Sequence, residues 1–186
     1  MGRWEPDAAG RLREAAMALY AEQGFDGTTV ADIADRAGVT ARTFFRHFVD
    51  KREVLFAGSE ELQRRMVDAL TGAPRDAEPM DAITIALLAA AELFADRRDH
   101  SRRRQAVIAA TPELREREFI KMASLVTAFT EALRQRGVEP DTASLAAETG
   151  IAVFRVAFER WVTGPEDADL ADVMRGTLAD LSELTA

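Results

Sequence analysis

The 186-residue sequence contains no cysteine. Disulfides, thiolate metal sites and cysteine nucleophiles are therefore excluded. Its two histidines, His47 and His100, stand 53 positions apart, which leaves little material for a histidine-based metal site. Tyrosine occurs once, while alanine is abundant and glycine and proline are spaced out along the chain. That balance favours helices over strands. No apolar run approaches the roughly 18 residues that a membrane span needs. The opening residues MGRWEPDAAG also lack the apolar stretch of a secretion signal. The expectation is a soluble, cytoplasmic chain of one domain or two small ones, without a cofactor. An excess of positive charge is missing too: 24 Lys and Arg stand against 32 Asp and Glu, a net charge of −8. So acidic a surface does not coat nucleic acid or an anionic membrane, and any nucleic-acid contact has to be local.

Periodicity and punctuation predict an all-α chain. Leu12, Ala15, Ala16, Leu19 and Tyr20 recur at helical spacing over 7–23, with Gly24 at the C-cap position. Thr28 or Thr29 caps a short helix ending near Ala37, and Val30, Ile33, Ala34 and Ala37 form its apolar face. Gly38 marks a turn, Thr40 caps a third helix running to Phe48, and Asp50 caps a fourth over 51–70. The stretch 71–79, TGAPRDAEP, reads as a loop. Further helices are expected over 80–95, 100–110, 112–136, 141–163 and 167–184, punctuated by the Thr111-Pro112 start pair and by Gly137, Gly164 and Pro165.

Two short helices joined by a glycine-containing turn have the lengths of a helix-turn-helix. The charge is polarised around it. Arg36, Arg42, Arg46, Lys51 and Arg52 oppose Asp50 alone, so residues 36–52 carry +4, whereas residues 57–186 carry −7. A local basic tip on an acidic body is the electrostatic footprint of a DNA reader.

The run GFDGTTVADIADRAGVT (24–40), followed by ARTFFRHF (41–48), Asp50 and Lys51, closely resembles the DNA-binding domain of the tetracycline-repressor (TetR) family, without gaps over about 11–56. The resemblance implies a nine-helix architecture: a three-helix helix-turn-helix head over 1–49, and a helical ligand-binding and dimerisation bundle over 50–186. It also implies residue roles. Thr28 and Thr29 look like phosphate contacts. Thr40, Arg42, Thr43 and Phe44 look like the recognition surface, with Arg46 among the DNA-binding residues. Phe45 and His47 sit at backbone-touching positions, and Lys51 looks like a phosphate clamp. Phe44 is also a candidate for half-core packing, and Phe48 for the core itself. Phe45 departs from the family's usual tyrosine and so lacks a hydroxyl for phosphate. Arg42 stands where a small residue is common; its guanidinium can grip guanine bidentately or bind phosphate alone, and both roles stay open.

For the bundle the resemblance implies a homodimer through the last two helices and a cavity for a small-molecule effector. The segment IAVFRVAFERWV (151–162), apolar on more than one face, calls for burial from several sides. Candidate lining residues are Leu62, Met66, Ile85, Leu88, Phe119, Met122, Val126, Phe154 and Phe158, all equally suited to a solid core. HSRRRQ (100–105) and TPELRERE (111–118) resemble the TetR branch with an acyl-CoA-like ligand-binding domain. Arg102, Arg103 and Arg104 fit either a phosphate-bearing ligand or, the favoured expectation, a solvated face paired with Asp96, Asp99, Glu113 and Glu116. Arg155 fits a pair with Glu159 or a dimer contact. With no glycine loop for phosphate and no HExxH pattern, an enzyme is not expected. The function expected is a ligand-responsive regulator, a repressor released from a double-stranded DNA operator by its effector. The alternatives are an activator or a helical protein-interaction module without inducer.

Overall fold

The computed structural model describes residues 7–186, so the first six residues of the expected head lie outside the described residues. Among the described residues the chain forms nine helices and no strand. They are α1 (Ala8–Gln23), α2 (Val30–Arg36), α3 (Ala41–His47), α4 (Ser59–Thr71), α5 (Pro79–Glu92), α6 (Arg98–Ala110), α7 (Pro112–Gln135), α8 (Pro140–Thr163) and α9 (Leu170–Thr185). None of the described helices is long and apolar enough to cross a membrane.

The expected fourth helix starts eight residues late. The Asp50 carboxylate accepts the N–H groups of Arg52 at 2.8 Å and Glu53 at 3.1 Å, as a cap should. Residues 51–58 nevertheless form successive turns, and Gly58, at φ +97°, separates them from α4. Val54, Leu55 and Phe56 are all buried. The Leu55 and Phe56 N–H groups donate to the Arg52 and Glu53 carbonyls three residues back, the pattern of tight turns rather than of an α-helix, and three consecutive buried residues mean that the segment is enclosed from several sides.

The chain divides into two compact units. Residues 7–58 and 103–118 make the first, and 59–102 with 119–186 the second. In the first, Leu12, Ala16 and Tyr20 of α1 pack with Ile33 of α2, Phe44 of α3, Phe48, and the 54–56 turn. Ile108 at the end of α6 and Leu114 at the start of α7 complete this core, both with no exposed surface.

In the second unit α5 and α8 supply the centre, with Met66 and Leu70 of α4, Phe129 and Leu133 of α7, and Met174 of α9 around it. The approach of α5 and α8 depends on Gly150, where a Cβ atom would meet Ile83 Cγ2 at 2.5 Å. Chain breaks here are closed by arginines. Arg98 donates to the carbonyls of Trp161, Gly164 and Pro165, and Arg102 Nε to that of Val162 at 3.1 Å. These are the carbonyls a helix C-terminus leaves unpaired, and cations are favoured there. Arg136 likewise donates to Ala73 and Pro74, holding the 72–78 loop at 2.9 and 2.6 Å.

Gly150→Val should therefore lower the unfolding free energy by about 2 kcal/mol, because Ile83 is β-branched and fully enclosed. Urea unfolding followed by circular dichroism measures it. Ile83→Ala in the same chain should cost less than in the wild-type background.

Candidate nucleic-acid interface

The helix-turn-helix is built by local rules. Thr29 caps α2: its hydroxyl accepts the Asp32 N–H at 3.1 Å, while the Asp32 carboxylate accepts the Thr29 N–H at 2.8 Å. This reciprocal pair is a capping box. At the other end Gly38 sits at φ +68°, and the N–H groups of Gly38 and Val39 donate to Asp35 and Ala34. That C-terminal motif needs a left-handed residue, which glycine supplies without a Cβ penalty. Thr40 then caps α3 by accepting the Thr43 N–H at 3.2 Å.

One turn of helical spacing separates the two faces of α3. Phe44 and Phe48, four apart, enter the core with ring centroids 5.6 Å from each other. Arg42, Phe45 and Arg46, spaced i, i+3 and i+4, face outward and with Thr43 line a shallow depression. His47 and Thr40 are exposed beside them, as is Thr29. Among the described residues neither Arg42 nor Arg46 makes an ion pair, so both guanidinium groups are free to meet an anion.

Two sequence expectations need correction. Phe44, expected on the recognition surface, is 0% exposed and is the anchor of α3. Thr28, expected to touch phosphate, is 1% exposed, and its hydroxyl donates to the Gly24 carbonyl at 2.8 Å. Lys51 is also held inside the unit. Its ammonium donates to the Phe25 and Thr28 carbonyls at 2.8 and 2.9 Å and lies 4.3 Å from the centroid of the Phe25 ring. The Tyr20 hydroxyl donates to the Lys51 carbonyl at 2.6 Å, and burial, with Asp50 nearby, raises its pKa. Arg36 pairs with Glu22, and Arg52 with Asp50.

Arg103 of the α6 run is exposed, as a solvated face requires, but its two neighbours are not on that face. Arg102 caps α8, as described above. Arg104 is largely enclosed: Nε donates to the Leu55 carbonyl at 2.7 Å, one terminal nitrogen meets Glu118 at 3.2 Å, and the guanidinium lies 5.1 Å from the Phe56 ring centroid. Arg117 Nε donates to Glu53 at 2.6 Å. Nothing in the sequence signalled these contacts, since 49 residues separate Arg104 from Leu55. Arg155 is exposed on α8.

The cavity candidates scatter. Met66 and Phe154 are buried in the core of the second unit, and Leu62, Met122, Val126 and Phe158 pack half-buried against it. Leu88 is half-buried. Ile85 and Phe119, at 38% and 69% exposed, line no interior of that unit.

Comparison with known proteins decides the family. Residues 12–57 match the bacterial regulatory proteins of the tetR family, and residues 77–186 match the MftR C-terminal domain. The chain belongs to the TetR family. Within it, the transcriptional repressor KstR2 of Mycobacterium tuberculosis is 42% identical over 67 residues, 36% of this chain and only 32% of that protein. The match thus spans about a third of the KstR2 length. The protein named MftR, a mycofactocin biosynthesis transcriptional regulator from the same species, is 28% identical over 87% of this chain and 83% of its own. Among solved TetR-family folds, a regulator from Syntrophomonas wolfei superposes with a TM-score of 0.69 at 16% identity, covering 95% of this chain and 94% of that one. FadR of Bacillus subtilis, solved in complex with stearoyl-CoA, superposes at 0.63 and 19% identity over 92% of this chain and 96% of its own.

Two outcomes follow from the TetR head's geometry. Lys51→Met should lower unfolding stability by about 2 kcal/mol, because two carbonyls lose a charged donor. Arg46→Ala should leave it within about 0.5 kcal/mol. Thermal unfolding of both variants checks this. Burial works to raise the Asp50 pKa, but hydrogen bonds from the Arg52 side chain and from the Glu53 and Arg52 N–H groups outweigh it, and the net shift is downward. A lowered carboxylate contributes stability above its ordinary value and loses it as pH falls through the folded one. The stability gap between wild type and Asp50→Asn should thus be full near neutrality and close below about pH 4, as read from urea midpoints across pH.

Proposed function

We propose that the chain is a ligand-responsive transcriptional regulator that binds a pseudo-palindromic DNA operator as a homodimer. The observation that carries this is the outward face of α3, where Arg42 and Arg46 stand unpaired on a helix pinned from behind by Phe44. A short helix with a free cationic face fits the major groove, where base edges are read. Arg42 is assigned the base contact and Arg46 a phosphate. Thr29, Thr40, Thr43 and His47 fit flanking backbone contacts. Lys51 serves by fixing the segment after α3, and a phosphate contact from its remaining hydrogen is secondary.

Dimerisation through α8 and α9 is supported by the large apolar side chains these helices leave uncovered, Leu145, Val156 and Leu184. Two linked heads read two half-sites with an affinity that one head cannot reach. An apolar or acyl-type effector is supported by the fold shared with a FadR that was solved with stearoyl-CoA. Its apolar tail would lie among Leu62, Leu88, Met122, Val126 and Phe158, the half-buried members of the candidate set. We infer repression, the role of the KstR2 repressor, with release by the effector; FasR of Mycolicibacterium smegmatis, 25% identical, is an activator. No catalytic step is assigned, and the chain acts where DNA is, in the cytoplasm.

Electrophoretic mobility shift on the region upstream of its own gene tests the assignment. Wild type should shift it. Arg42→Ala should bind about ten-fold or more weakly and relax preference at one base pair, while Arg46→Ala should reduce the salt slope by about one on all sequences. Long-chain acyl-CoA should dissociate the complex. Wild-type-like binding by both variants, at every salt concentration, overturns the interface.

A further inference from the structure

Phe45 is the feature of the interface that phosphate binding does not explain. The ring is 57% exposed, so it does not seal the core. It lacks the hydroxyl that could bond a phosphate. Its one ring contact among the described residues is to fully enclosed Phe44, which meets it edge-on at 5.5 Å with an interplanar angle of 83°. Arg42 and Arg46 flank it in the same depression. An exposed apolar ring between two cations would be carried against DNA by its neighbours. Of the base edges in the major groove, thymine alone offers an apolar group, the C5 methyl.

We propose that Phe45 is a specificity-determining residue that packs its ring on the methyl group of a thymine next to the position gripped by Arg42. The alternative resting place, a deoxyribose, would give contact without sequence preference. The assignment rests on the DNA-binding function proposed above, and its test separates the two.

The full chain is used to enrich sites from a random-sequence duplex library. In the enriched site each thymine is then replaced, one at a time, by deoxyuridine. That swap keeps every hydrogen-bonding group and removes one methyl. One thymine per half-site should show a loss of about three- to five-fold in affinity, the worth of one buried methyl. The loss should vanish in Phe45→Ala and persist in part in Phe45→Leu, which keeps apolar surface. Superimposable melting curves for wild type and Phe45→Leu show that folded chains are being compared. Should every thymine tolerate the swap within two-fold, or should Phe45→Ala show the same sensitivity as wild type, the methyl contact is overturned. Uniform weakening of Phe45→Ala on all sequences overturns it as well, in favour of the sugar. Failure of the wild-type chain to enrich any site is a different result, and it sinks the DNA-binding function itself.

Discussion

Whatever the head does depends on two phenylalanines. A seven-residue helix does not persist in water, because the cost of nucleation exceeds what two turns return. The α3 helix exists because Phe44 and Phe48 insert four residues apart into a core shared with Leu12, Ile33 and Leu114. Burying one such ring is worth about 1.5–3 kcal/mol, comparable with the penalty to be overcome. The insertion also sets the rotation of the helix. With 44 and 48 inward, 42, 45 and 46 must point out, and no separate device is needed to aim them. The Gly38 turn and the Lys51 bonds act on either side of this anchor, fixing where the helix begins and where the chain goes next.

Charge is apportioned more sparingly than the sequence suggests. Five cations in residues 36–52 read as one basic patch, yet the structure commits three of them. Arg36 answers Glu22, Arg52 answers Asp50, and Lys51 answers two carbonyls. Arg42 and Arg46 remain, on the face that Phe44 exposes. Elsewhere, Arg98, Arg102 and Arg136 are spent on carbonyls at helix ends and loops, and Arg104 on Leu55 and Glu118. An arginine can reach such carbonyls because its fork offers several donors at the end of a long stem. Within residues 36–52 the cations without an ion pair among the described residues are thereby narrowed to two on one face of α3, and a duplex read by that face would have to fit the helix as well as attract it.

The helices were legible in the sequence wherever punctuation was local. Gly24, Gly38, Gly137 and the Thr111-Pro112 pair fall at the observed boundaries. The start of α4 was not, since the cap at Asp50 opens a run of tight turns and the helix begins only after Gly58, at φ +97°. The place of Phe44 was half legible. Its spacing from Phe48 puts both on one face, whereas the family pattern drew it toward the recognition surface. Thr28 was misplaced for a similar reason: a threonine beside a helix start reads as a cap or a phosphate contact, and nothing local reveals that its hydroxyl turns back to Gly24. Free and committed arginines are identical in sequence, and only their distant partners tell them apart.

Residues 103–118 carry the consequence that matters most. They supply Ile108 and Leu114 to the core beneath α3, and Arg104 and Arg117 to the 53–56 turn that follows it. The compact unit that holds the helix-turn-helix is therefore not a consecutive stretch of chain. A cut after Gly58 removes two fully buried side chains and the partners of the Leu55 carbonyl and the Glu53 carboxylate. Both α6 and α7 also continue without a break into segments assigned to the second unit, down to Arg98 and on to Gln135. Arg104 and Arg117 grip the turn that follows Phe48 while Ile108 and Leu114 fill the core that holds Phe44, so the anchor of α3 depends on side chains more than fifty residues further along the chain as well as on its own neighbours.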